Sequence, residues 1–273
     1  MTGRAGASED GRLLVFPRYD FAAAGVWLRD LTTGRERQLA ATPQAPLNPV
    51  ISPDGRWAAY TVTTLERGGN AGPGAGYIVQ TSGGAPRRVC DDCQIFHWSR
   101  DNRQLFIVEH IGRLNRLDLI SGARIPVVVA PDLELRGDEE IDRPLLPPHE
   151  RWMVFNSARK VFVAPVYENR DAPQAEWITV HASSGAERSA GLSPDGRLLY
   201  LLLERDSFRC LYGQRLDLDS GRPIGEPFLV QHFHDPSRQW GSTGYGSATV
   251  AGMFLANLFE TTGNVWMTTL DLD

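Results

Sequence analysis

One short segment recurs along this chain at a nearly constant interval, and a chain with such a period has few folds open to it. Ser52-Pro-Asp-Gly-Arg-Trp-Ala-Ala-Tyr60 returns as Ser193-Pro-Asp-Gly-Arg-Leu-Leu-Tyr-Leu201. Weaker copies are Ser8-Glu-Asp-Gly-Arg-Leu-Leu-Val-Phe16 and Ser99-Arg-Asp-Asn-Arg-Gln-Leu-Phe-Ile107. Pro147-Pro-His-Glu-Arg-Trp-Met-Val-Phe155 is a worn copy, and Val250-Ala-Gly-Met-Phe-Leu-Ala256 keeps only the pattern. Successive starts at 8, 52, 99, 147 and 193 lie 44 to 48 residues apart. Units of about 40 to 50 residues have the size of a β-propeller blade.

Each unit reads alike inside. Ser-Pro-Asp-Gly is a turn, in which Asp bonds the local backbone and Gly takes a positive φ. An alternating apolar strand follows, then a hairpin and a second strand. That strand carries a large apolar residue at one slot, Trp27, Ile78, Leu114, Phe162, Tyr212 and Trp266, and all of these but Tyr212 are expected to be buried between units. Another turn, Asp30-Leu-Thr-Thr-Gly34, is echoed by Asp118-Leu-Ile-Ser-Gly122 and Asp217-Leu-Asp-Ser-Gly221. A third strand, such as Arg37-Gln-Leu39 or Arg87-Arg-Val89, closes the unit. With the short strand before each Ser-Pro-Asp-Gly, that makes four strands. The expectation is one all-β domain over residues 1–273, a six-bladed propeller of four-stranded antiparallel blades starting near residues 4, 48, 95, 142, 188 and 245. No segment has a convincing amphipathic helical pattern. The chain stops at Asp271-Leu-Asp273, where another turn is due. The last blade is therefore expected to lack its outer strand, and the chain to be part of a larger protein that supplies a closing strand from upstream of Met1.

The net charge is −5, with Lys160 the only lysine, so no concentrated basic surface favours a nucleic-acid partner. No 18-residue apolar run is present, and Met1 to Glu9 lacks the apolar stretch of a signal peptide. A nucleophile elbow, a phosphate-binding loop and a His-Glu-x-x-His motif are all absent from the sequence. The expectation is a non-catalytic protein without a cofactor. The run Gly68-Gly-Asn-Ala-Gly-Pro-Gly-Ala-Gly76 reads as a surface loop, and Asp138-Glu-Glu140 with Asp142 as a solvated one.

Three side-chain groups could carry chemistry. Cys90-Asp-Asp-Cys93, with His97 beyond it, fits a structural loop, a small disulfide or an incomplete metal site, and sits where the second blade crosses to the third. His232 and His234 share one face of a strand and could hold a metal with a carboxylate, against the alternative of a polar strand edge. His149 reads as a surface turn residue, and Cys210 as a thiol packed inside a blade. Propellers present ligands at the loops entering their innermost strands, here at Asn48, Phe96-His97, Asp142-Arg143, Glu187-Arg188 and Trp240. Asn48, His97, Asp142, Arg143, Arg188 and Trp240 are thus the candidate residues for a protein or peptide partner.

The repeat resembles the TolB-like β-propeller, a WD40-like group marked by its Pro-Asp pair, over nearly the whole chain. Glu204-Arg-Asp-Ser-Phe-Arg-Cys-Leu-Tyr212, Arg222-Pro-Ile-Gly-Glu-Pro-Phe228, Gln231-His-Phe-His234 and Gly263-Asn-Val-Trp266 resemble a narrower group. These are the C-terminal propellers of large Acidobacteria-type proteins, often serine/threonine kinases. The resemblance implies a sensor or docking module of a bacterial signalling protein, working in the periplasm or otherwise outside the cytoplasm. Propellers also serve as polysaccharide lyases with a histidine-bound metal and as gates of serine peptidases, so both remain as alternatives.

Overall fold

The structure is a computed structural model that describes residues 5–19, 24–44, 46–65, 71–109, 113–129, 142–157, 160–182, 188–205, 208–233, 238–240, 248–250, 253–255 and 258–260. Its described residues form five antiparallel four-stranded sheets, each made of consecutive strands. The first holds β1 (Gly6–Ala7), β2 (Leu13–Tyr19), β3 (Ala24–Asp30) and β4 (Glu36–Thr42). The second holds β5 (Pro46–Ile51), β6 (Trp57–Leu65), β7 (Ala71–Gln80) and β8 (Arg87–Asp91). The third holds β9 (Cys93–Trp98), β10 (Gln104–Glu109), β11 (Arg113–Asp118) and β12 (Arg124–Val129). The fourth holds β13 (Asp142–Leu145), β14 (Trp152–Ser157), β15 (Lys160–Pro165) and β16 (Ile178–Ala182). The fifth holds β17 (Arg188–Leu192), β18 (Leu198–Arg205), β19 (Phe208–Leu216) and β20 (Pro223–Gln231). Four short strands follow: β21 (Arg238–Trp240) pairs with β24 (Leu258–Glu260), and β22 (Ala248–Val250) with β23 (Met253–Leu255). Among the described residues the only helical turn is Gln174–Glu176.

The first strands of the sheets stand side by side. β1 lies against β5, β5 against β9, β9 against β13 and β13 against β17. β22 lies against both β17 and β1. Apolar clusters fill each space between successive sheets. Val15, Val26 and Leu28 meet Ala58, Tyr60 and Val79. Ala59 and Ile78 meet Leu105, Ile107 and Leu117. Phe106 and Leu114 meet Met153 and Phe155, and Val154 and Val163 meet Leu199 and Leu201. Alternate residues of one strand serve opposite junctions, as period-two geometry requires.

The recurring turn owes its motif to two bonds. Ser8, Ser52, Ser99 and Ser193 donate from Oγ to Asp10, Asp54, Asp101 and Asp195 at 2.5 to 2.6 Å. The same hydroxyls accept the backbone N–H five residues on, at 2.8 to 2.9 Å. Position four of the turn takes a left-handed φ between 52° and 74°, filled by Gly11, Gly55 and Gly196 but also by Asn102 and Glu150.

The expected large-residue slot mixes two rows. Pairing places Trp27 opposite Phe16, Tyr77 opposite Tyr60, Asn115 opposite Ile107, Phe162 opposite Phe155 and Tyr212 opposite Leu201. Ile78 and Leu114 point to the following sheet, whereas Phe162 and Tyr212 pack toward the preceding one. A one-residue slip in reading the hairpins reverses the face, and the hairpins differ in length, so the apolar slot was misaligned. Ile78 and Leu114 are buried, but Trp27 is only half-buried, capped by Arg18 at 4.2 Å from its ring centroid. Phe162 and Tyr212 are also only partly buried, and Trp266 lies outside the described residues. The glycine run is corrected too: its second half is strand, with Gly74 opposite Thr63 and Gly76 opposite Thr61. Residues 138–141 of the acidic run lie outside the described residues.

Candidate functional site

Every first strand from β5 to β17 carries an irregularity against its neighbour, between Leu47 and Val50, Ile95 and His97, Asp142 and Leu145, and Ser189 and Gly191. A bulge frees backbone groups that must find partners elsewhere. Pro49 and Pro144 stand at the bulges of β5 and β13, where a residue without an N–H leaves no donor to satisfy. β9 and β17 have no such proline, and the preceding sheet supplies the acceptor. Thr61 Oγ1 accepts the N–H of Ile95 at 2.9 Å, and Asn156 Oδ1 accepts that of Ser189 at 3.0 Å. Thr61 and Asn156 follow their prolines by the same 12 residues.

The turns join into a partial collar. Asn102 Oδ1 accepts the N–H of Asp54 at 3.1 Å, and Glu150 Oε1 that of Arg100 at 2.6 Å. The two residues that break the glycine rule at the left-handed position are the ones whose side chains reach the preceding turn. Gly196 is pressed on Pro147, where an added Cβ would lie 2.7 Å from the proline Cβ. Between the first and second turns a cleft of about 580 Å³ remains, lined by Ser8, Glu9, Asp10, Arg12, Leu13, Pro53, Asp54 and Gly55. Charge at the turns is locally answered. The Ser8 hydroxyl and the Arg12 N–H hold Asp10 below the ordinary carboxylate range, and Ser193 with the Arg197 N–H do the same for Asp195. Burial raises Glu150 despite its bond from Arg100. Arg116 bridges the third and fourth sheets by donating to the carbonyls of Tyr167 and Glu168, and burial lowers its pKa. Its Nε is buried without a partner.

Position before each turn tells which candidate residues share a level. Asp142 pairs with Asn156 and Arg188 with Leu202, five residues before their turns. Asn48 and Arg143 stand four residues before theirs. These four therefore fall at one end of the first strands, with Asn48 buried at φ 47°. His97 pairs with Phe106 two residues before Ser99, about 10 Å further along at the usual strand rise. Its Nδ1 lies 2.5 Å from the Trp98 carbonyl, and its ring meets Phe106 edge-on. Trp240 is on β21, which lies against β19 rather than among the first strands.

The remaining candidates separate clearly. Cys90 and Cys93 form a disulfide at the crossing from β8 to β9, which resolves the open reading of that pair and leaves no thiolate for a metal. Cys210 is fully buried, with its Sγ 3.5 Å from Nδ1 of His232. His234 lies outside the described residues. Among the described residues no group of three His, Cys, Asp or Glu could hold a metal ion. His149 is more than a surface turn residue. Its ring meets Trp152 edge-on at 5.1 Å, Nδ1 accepts the Arg151 N–H, and Nε2 is buried without a partner. Burial and the Arg151 charge lower its pKa. Sequence reasoning missed Thr61, Asn156, Asn102, Glu150 and Arg116. The signals were the repeated Pro-to-catch spacing and the two non-glycine residues in a glycine slot.

No helix among the described residues is long and apolar enough to cross a membrane. No family model matches the chain, and no curated protein matches it in sequence. Solved structures do resemble it. TolB from Acinetobacter baumannii matches 84% of this chain at TM-score 0.60 and 14% identity, and the chain spans 56% of that protein's length. A protein assigned as TolB from Agrobacterium tumefaciens matches 96% of this chain and 91% of its own at TM-score 0.61 and 17% identity. The β-propeller domain of the Trilobed protease from Pyrococcus furiosus matches 96% of this chain and 80% of its own at TM-score 0.55 and 14% identity. Identities this low speak for the fold alone. The chain has the fold of a TolB-like β-propeller.

Proposed function

We propose that this chain is a non-catalytic binding propeller of six blades, the sensor or docking module of a larger bacterial signalling protein, which takes a protein or peptide partner at its channel mouth. The observation that carries the reading is the alignment of first strands. Asn48, Asp142, Arg143 and Arg188 come from three different blades yet fall within one residue of a common level, at the end where the chain enters those strands. A binding site assembled on rigid strands needs that kind of convergence. Arginines there suit a peptide carboxylate, which a guanidinium binds through two hydrogen bonds. The position of β22 between β17 and β1 supports a sixth blade. Ile224, Phe228, Leu229 and Val230 are exposed along β20, the outer strand of its sheet, where a larger parent protein could cover them.

The test uses the whole chain, immobilised and exposed to a native lysate of its source organism. Captured protein should be displaced by excess soluble chain and retained less by the Arg143→Ala and Arg188→Ala variants. Stoichiometric bound metal in the purified chain would instead favour the polysaccharide-lyase reading.

A further inference from the structure

We propose that Cys90–Cys93 is a redox-responsive clip: closed, it locks the crossing from the second to the third blade, and opened by a thiol, it loosens that junction. The bond joins the penultimate residue of β8 to the first residue of β9, so the outer edge of one blade is tied to the inner edge of the next. Both sulfurs are shielded, with Cys90 4% and Cys93 1% exposed. They belong to the apolar cluster of Ala59, Ile78, Ile95 and Trp98 that fills the junction.

The packing around them is cut for a closed bond. A Cβ added at Gly76 would lie 2.5 Å from Cys90 Sγ, 2.9 Å from Cys93 Sγ and 2.9 Å from Ile95 Cδ1. Two separate thiols need about the sum of their van der Waals radii between sulfurs, well beyond a covalent bond, and the dense junction has no slack for it. Opening therefore pushes sulfur onto Gly76 or draws β9 away from β7. The neighbouring catch, Ile95 N–H to Thr61 Oγ1, is only two residues from Cys93 and would strain with it.

The loop also sets how the clip is worked. Asp91 and Asp92 lie between the cysteines and are exposed, with Asp91 paired to Arg88. Their negative charge opposes an approaching thiolate anion, and the shielding of both sulfurs slows exchange further. Closure is a two-step exchange. One cysteine thiolate attacks a small disulfide, its S–S bond breaks, and one small thiol leaves. The second cysteine then displaces the remaining small thiol as the protein bond forms. The pair loses two protons and two electrons, which the small disulfide takes up as two thiols. Opening by excess thiol is the reverse. Cys210, fully buried in the fifth blade, takes no part.

The test equilibrates the full chain in glutathione buffers of oxidised and reduced composition, then denatures and alkylates it for mass measurement. Of the three cysteines, the oxidised sample should alkylate one and the reduced sample three. The reduced chain should melt several degrees lower. The C90A/C93A variant should melt alike with and without thiol. Gly76→Ala should lower the melting temperature of the oxidised chain, and by about half as much or less in the C90A/C93A background, because residues in contact are not additive. Three alkylated cysteines from the oxidised buffer, or a melting temperature indifferent to reductant, would overturn the proposal.

Discussion

The junction between the second and third blades and the junction between the third and fourth solve one geometric problem by different chemistry. At the former, a threonine on β6 reaches the bulged strand ahead of it, and Trp98 Nε1 donates back to the Val50 carbonyl at 3.3 Å. At the latter the residue in the place of Thr61 is Val108, and no such catch is possible from that position. The space is filled by Phe155, Phe162 and Trp177, whose rings meet at 5.0 to 5.7 Å, with Arg116 reaching across to two carbonyls. The fourth-to-fifth junction repeats the first solution with Asn156, so the catches alternate from blade to blade. A blade can therefore lose its sequence signature and keep its place. What must be preserved at each junction is satisfied backbone and filled volume, not residue identity.

The largest expected effect lies at the aromatic junction. Phe155 is wholly buried and touches both other rings, so Phe155→Ala should cost about 3–5 kcal/mol in denaturant unfolding. A loss below about 1 kcal/mol would mean that the aromatic cluster is not what closes this junction. Next come the polar catches. Thr61→Val preserves shape but strands the Ile95 N–H, and should cost about 1–3 kcal/mol. Thr61→Ser should recover much of that loss, and failure to do so would assign the effect to packing instead of the bond.

The collar offers a smaller, pH-dependent contrast. Glu150 has its pKa raised in the fold, so between its ordinary and folded values the native state holds more protons than the unfolded one. Its ionisation therefore costs stability as pH rises through that window. Asp10 and Asp195 have the opposite sign: their depressed values stabilise the fold above the ordinary carboxylate range, and that share is lost on acidification. Glu150→Gln keeps an oxygen for the Arg100 N–H and removes the ionisation. It should be at least as stable as wild type at neutral pH, with the difference vanishing in acid. Glu150→Ala loses the bond and should be destabilised by about 1 kcal/mol in acid, and by less at neutral pH, where wild type also carries the cost of ionising Glu150. Melting curves of the three proteins from pH 4 to 8 check the sign. Trp27→Ala should cost less than Phe155→Ala, because Trp27 is only partly buried, beneath Arg18.

Four-strand units, their turns and nearly all their starting points could be read from the chain, because turn chemistry is local and a Ser-Asp pair marks four of the five turns. The facing of the hairpin strands could not. Trp27 and Ile78 look equivalent in sequence, yet one lies on the opposite face from the other, since hairpin length decides parity and no local residue announces it. Thr61 and Asn156 were missed for another reason: their spacing from a proline repeats, but a catch is defined by the strand it meets, which comes 33 or 34 residues later in the chain. Asn102 and Glu150 looked like decay of a motif, although their side chains are what join neighbouring turns.

Those joined turns lie at one end of the first strands, and Asp142, Arg143, Asn48 and Arg188 lie toward the other, which is where a partner is proposed to dock. Arg143→Ala and Arg188→Ala separate that proposal from a purely structural collar. Each variant should be measured for melting temperature and for capture of the displaceable partner in the same preparation. The account predicts that capture falls while the melting temperature stays within a degree or two of wild type. A lowered melting temperature with capture unchanged would show that the arginines answer Asp142 and its neighbours as buried structural pairs, and would contradict recognition at the mouth.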